Sequence, residues 1–150
     1  MVDRIAAYEP VGMRLRVENG PRGIQVINDA YNANPMSVEA NLRMLAAIPP
    51  HPNRRRVAFI GDMLELGPTE IEQHRQTADL AASLGLDLIA FAGSRFCEAV
   101  GDTYLCAPDA DQLGATIKDS LQPGDIVLIK GSRGMRMEQV LPHLASKETA

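Results

Sequence analysis

A chain of 150 residues with 45% hydrophobic content can bury one sizeable core and makes one domain. Its net charge of −4 argues against a nucleic-acid face or an anionic-membrane surface, both of which call for clustered cations. No apolar run approaches the roughly 20 residues of a membrane span, and the N-terminus lacks the charged-then-apolar pattern of a signal peptide, so a cytoplasmic protein is expected; a monomer is expected as well.

Residues Gly12 to Val17 alternate Met13, Leu15 and Val17 with Arg14 and Arg16, and Glu18 to Gly23 supply turn residues. A hairpin is therefore expected to lead into a strand at Ile24 to Asn28. The string Asp29-Ala30-Tyr31-Asn32-Ala33-Asn34-Pro35 follows, with Pro35 suited to a first helical position and Asn34 to the N-cap. Val38, Leu42 and Leu45 continue at helical spacing until Pro49-Pro50 stops the helix. The run Arg54-Arg55-Arg56 reads as a solvated loop before a buried strand at Val57 to Gly61.

The loop Asp62 to Gly67 is both apolar and acidic. Thr69-Glu70-Ile71-Glu72 fits a capping box, opening a helix to Leu84 with Gly85 as its left-handed terminator. Strands are then expected at Leu86 to Ala92, Tyr104 to Ala107 and Asp125 to Lys130, with helices at Ser94 to Val100 and Asp111 to Leu121. Met137, Val140, Leu141 and Leu144 predict a last amphipathic helix that Pro142 kinks or ends. Alternating strands and helices imply an α/β domain of three layers with a mostly parallel sheet and an antiparallel N-terminal edge hairpin.

In such a sheet, ligands bind beyond the carboxyl ends of the strands. Those ends carry Asp29, Asp62 with Glu65, and Lys130 with Ser132 and Arg133. Each has an ordinary structural use: Asn, Asp and Pro make turns, and a Lys-Gly-Ser-Arg-Gly segment often only joins a strand to a helix. There is no P-loop and no G-x-G-x-x-G, so a triphosphate finds no cradle of the usual kind. His51, His74 and His143 have no zinc or triad spacing, although His74 could return over the acidic loop. Cys97 and Cys106 read as buried thiols, and no metal site is expected.

Three strings occur in order: Asp29 to Pro35; Gly61-Asp62-Met63-Leu64-Glu65-Leu66-Gly67 followed by His74; and Lys130-Gly131-Ser132-Arg133 followed by Met137-Glu138. Together they resemble the C-terminal domain of the Mur ligases, in the form typical of the MurF type, from about Pro10 to Leu144. The resemblance implies a six-stranded Rossmann-like domain that closes over ATP, with Mg²⁺ and the P-loop held by a central domain that this chain does not contain. It implies that Asp29 accepts the ribose hydroxyls, Asn32 lies beside the adenine, and Arg14 is the catalytic cation directed at the γ-phosphate. Tyr31, Asn34, Asp62, Glu65, Lys130, Ser132 and Arg133 become candidates for holding D-alanyl-D-alanine, the amine joined to UDP-N-acetylmuramoyl-tripeptide. Lys130 has an alternative, a salt bridge to Asp62 or Glu65.

By the same resemblance the chain alone should be catalytically silent. Two rivals stand beside this reading. One is another member of the superfamily, such as a ligase adding lysine or diaminopimelate, or folylpolyglutamate synthetase; Tyr31-Asn32-Ala33-Asn34 argues against it. The other is a nucleotide-binding or interaction module that kept the fold and lost the reaction.

Overall fold

The computed structural model describes residues 16–30 and 33–145, so Arg14, Tyr31 and Asn32 lie outside the described residues. Among the described residues six strands form one sheet: β1 (Arg16–Asn19), β2 (Gln25–Asp29), β3 (Arg56–Gly61), β4 (Leu88–Ala92), β5 (Leu105–Ala107) and β6 (Ile126–Lys130). Their order is β1-β2-β6-β3-β4-β5. Among these described strands only the β1–β2 pair is antiparallel, at the edge, as the hairpin pattern anticipates.

The strands separate two cores by their period of two. Ala58 and Ile60 of β3 face one side with Ile27, Leu128 and Phe91, under helices α1 (Pro35–Ala47), α2 (Glu70–Ser83) and α3 (Ser94–Val100). Val57 and Phe59 face the other with Ile129 and Ala92, under α4 (Ala110–Ile117) and α5 (Leu141–Ala145). Both faces are covered, which is why β3 and β6 are apolar without alternation.

Helix α1 starts where Asn34 and Pro35 predict. The Asn34 Oδ1 accepts the Ser37 N–H at 2.9 Å, and the Ser37 Oγ accepts the Asn34 N–H at 3.1 Å, closing a capping box. Asn34→Ala should therefore destabilise the domain by about 1 kcal/mol. Chemical denaturation measures this, and an unchanged midpoint would mean the cap is supplied by solvent.

Several expectations are corrected. Thr69 makes no capping hydrogen bond; its hydroxyl accepts from the Gln73 side chain at 2.8 Å, one turn on, so the capping box expected there is absent. Gly85 does terminate the helix with φ +74°. The last segment is not one helix but 3-10 turns at Arg133–Met135 and Met137–Val140 before α5, and Pro142 sits in the first turn of α5, where its missing N–H is no loss.

The arginine run is not solvated either. Arg56 is 7% exposed and donates to the carbonyls of Ala46, Ile48 and Gly85, tying the ends of α1 and α2 to β3. Arg55 grips Asp125 through Nε at 3.1 Å and Nη2 at 2.9 Å, which raises its pKa further above the usual range. Cys97 and Cys106 are not separate thiols: a disulfide joins α3 to β5, with Cα atoms 5.5 Å apart. Among the described residues no helix is long and apolar enough to cross a membrane.

Candidate functional site

Strand order brings the sequence-predicted ends together, because β6 lies between β2 and β3 and aligns Lys130 with Asp29. The Lys130 Nζ donates to Asp29 Oδ2 at 2.8 Å, and the Asn41 Nδ2 of α1 donates to the same oxygen at 2.8 Å. The three are buried, at 1% for Lys130, 5% for Asp29 and 0% for Asn41. Burial pushes the Lys130 ammonium below its ordinary range, and the Asp29 carboxylate opposes that shift. The expected alternative partners of Lys130, Asp62 and Glu65, are replaced by Asp29: register across adjacent parallel strands brings the two chain-distant ends face to face.

Asp62 has a different duty. Its Oδ1 accepts the Phe96 N–H at 2.9 Å and its Oδ2 the Arg95 N–H at 3.0 Å, so its carboxylate meets the start of α3 and is 1% exposed. This places the side chain in the frame of the rim and not on its surface. Arg95 reinforces the frame through Glu70 at 2.7 Å, a bond that raises the pKa of the guanidinium. His74 does return over the acidic loop, as a buried prop: Nε2 accepts the Met63 N–H at 2.9 Å, while Nδ1 lies 2.6 Å from the Glu70 carbonyl. Because Nε2 must accept, the imidazole is the neutral Nδ1–H tautomer.

Ser132 buckles three segments. Its Oγ accepts the Leu64 N–H at 2.8 Å and donates to the Ala33 carbonyl at 3.4 Å, while its N–H donates to the Asp62 carbonyl at 3.1 Å. The rim loops after β2, β3 and β6 are thereby locked to one another. Glu65, in the left-handed region at φ +65°, and Arg133 are exposed on that rim, as is Asn34 at the head of α1. Met36 beside it is 81% exposed. Among the described residues no three His, Cys, Asp or Glu side chains gather as a metal site.

The arrangement offers a carboxylate fixed at a sheet's carboxyl edge with an exposed cation and carboxylate nearby, which suits a hydroxyl-bearing ligand and a zwitterion. Asn41 is the residue that sequence reasoning missed. Its signal was present, since an asparagine at a position facing the core, between Val38 and Leu42, needs a buried partner.

The family model "Mur ligase, glutamate ligase domain" matches residues 13–133. The UDP-N-acetylmuramoyl-tripeptide–D-alanyl-D-alanine ligase of Mycobacterium tuberculosis is 32% identical over 97% of this chain and 33% of its own length. This chain thus spans about a third of the length of that curated relative. A crystal structure of MurF from Acinetobacter baumannii matches with a TM-score of 0.73 and 27% identity, over 91% of this chain and 30% of that one. The MurF ligase of Thermotoga maritima in complex with ADP shares the fold, with a TM-score of 0.75 at 23% identity, over 95% of this chain and 33% of that one. On the match across most of its length, the chain belongs to the Mur ligase glutamate ligase domain family.

Proposed function

We propose that this chain is the single C-terminal domain of a cytoplasmic, ATP-dependent ligase that joins D-alanyl-D-alanine to UDP-N-acetylmuramoyl-tripeptide. The observation that carries the reading is Asp29: Oδ2 is held by Lys130 and Asn41, while Oδ1 accepts from no described residue. A carboxylate so fixed is ready to accept hydroxyl donors, as a ribose presents. ATP and Mg²⁺ supply the phosphoryl chemistry when bound to the rest of the ligase. Arg14 is assigned to the transferring phosphoryl group, where a planar cation stabilises spread charge, and Asn32 to the adenine.

The dipeptide falls to the rim. Lys130 is committed to Asp29; Arg133 and Arg136 are both exposed cations of its loop, and Arg133 is assigned to the dipeptide carboxylate, with Glu65, Tyr31 and Asn34 assigned to its ammonium and amide. Asp62 and Ser132 act by holding the loops in place. Rigid loops matter because presenting the amine in one orientation replaces a bimolecular encounter.

The test uses a full-length ligase containing this chain, assayed for ADP release with the muramoyl tripeptide and D-alanyl-D-alanine. Asp29→Asn should lower kcat/KM for ATP by about 1.5–3 kcal/mol, the scale for a hydrogen bond to a charged group. Unchanged kinetics in a folded variant would refute the ribose assignment, and failure to turn over the dipeptide would refute the substrate.

A further inference from the structure

Asn41 stands in the core, 0% exposed, with its Nδ2 on Asp29 and its Oδ1 buried without a hydrogen-bond partner. The amide cannot turn round to relieve that oxygen, because the flipped form sets oxygen against the carboxylate. Judged by packing alone, an apolar side chain would serve this face of α1 better, since a buried unpartnered carbonyl is costly. What the asparagine adds is a second donor to one chosen oxygen. An acceptor oxygen has two lone pairs, and Lys130 and Asn41 fill both on Oδ2.

We propose that Asn41 is a positioning residue for nucleotide recognition: together with Lys130 it saturates Oδ2 of Asp29, fixes the rotation of the carboxylate, and leaves Oδ1 alone to receive the ribose. The inference rests on the ribose reading of Asp29 given above. A carboxylate held only by Lys130 can swing about its Cβ–Cγ bond and exchange its two oxygens. Held at Oδ2 from two directions, by a strand and by a helix, it cannot. Ribose recognition then depends on a residue that no nucleotide touches.

The experiment is steady-state kinetics of the full-length ligase containing this chain, with ATP, 2′-deoxy-ATP and 3′-deoxy-ATP. The wild type, Asn41→Leu, Asn41→Ala and Asp29→Asn are compared, and each is melted in parallel. Leucine keeps the shape of asparagine without its donor, and alanine covers the case in which leucine does not fit. Expected is a wild-type preference for ATP over at least one deoxy analogue. Both Asn41 variants should raise the KM for ATP about fivefold to tenfold, at unchanged kcat, and shrink the ribose preference by the same factor. The melting temperature of Asn41→Leu should be no lower than that of the wild type.

A wild-type ribose preference in both Asn41 variants overturns the inference and leaves the ribose reading standing. Equal loss with all three nucleotides, accompanied by a lower melting temperature, overturns it in favour of a packing role. A wild type without ribose preference, matched by an unaffected Asp29→Asn, removes the ribose reading itself and the inference with it.

Discussion

Lys130→Met is expected to lower the unfolding free energy by about 3–5 kcal/mol, since it strips the cation from a carboxylate that folding has taken out of water. Asp29 would keep only the Asn41 amide on its Oδ2. For a chain of 150 residues the melting temperature should drop by roughly 6–20 °C. The double variant Asp29→Leu/Lys130→Met removes both charges and should recover most of the loss, because an apolar pair of similar volume suits a dry interior as well as an ion pair does. Calorimetry of the wild type, the single and the double variant decides the matter. A double variant as unstable as the single would mean that the Lys130 stem, not its charge, carries the stability.

Gly93→Ala should be nearly as damaging, at roughly 2–6 kcal/mol, because backbone strain and a collision act together. Gly93 has φ +114°, a region that L side chains avoid, and a Cβ there would fall on the Asp62 carboxylate. That carboxylate receives the N–H groups of Arg95 and Phe96, so displacing it loosens the start of α3 and the rim loop together. Gly85→Ala is the control. Its φ of +74° is also left-handed, but no atom lies within 4 Å of the added carbon, so only the backbone cost of about 1–2 kcal/mol remains. Equal losses at the two glycines would show that the contact with Asp62 contributes nothing.

What could be read from the residues, and what could not, divides along physical lines. The apolar runs of β3 and β6 depend on burial, which sequence pattern records directly, and the sheet came out with the expected edge pair. Asn34 and Pro35 are local signals read by the neighbouring backbone, so the start of α1 was legible too. The tertiary partners were not. Whether Thr69 caps depends on backbone angles at one residue, and it lies at φ −96° and ψ 16° outside the extended geometry that lets a side chain reach back. Arg54 to Arg56 looked solvated because charge usually is, yet Arg56 finds three carbonyls that helix ends leave without intrahelical partners.

The site shows the same division. That Asp29 and Lys130 share a rim follows from both ending strands of a parallel sheet. That they touch follows from strand order, which places β6 beside β2, and strand order is set by the packing of the whole chain. The second donor, Asn41, required knowing which face of α1 turns toward that rim. The proposed roles of Arg14, Tyr31 and Asn32 rest on resemblance alone, since these residues lie outside the described ones.

Strand β6 is the last of the described strands in chain order and yet lies between β2 and β3. Until it arrives, Val26 and Ile27 on one side and Val57 to Ile60 on the other border an unfilled slot with unpaired backbone groups, a template for pairing with other chains. The closing contact spans 101 residues, so the loop-closure entropy must be met before the sheet becomes whole, and folding should be slowest at this step. During synthesis the slot stays open until residues 126–130 leave the ribosome, which makes this interval the one most exposed to aggregation. Lys130 travels with that strand. Asp29 therefore gains its cation in the same event that completes the sheet, and a chain that has not finished folding carries no intact site.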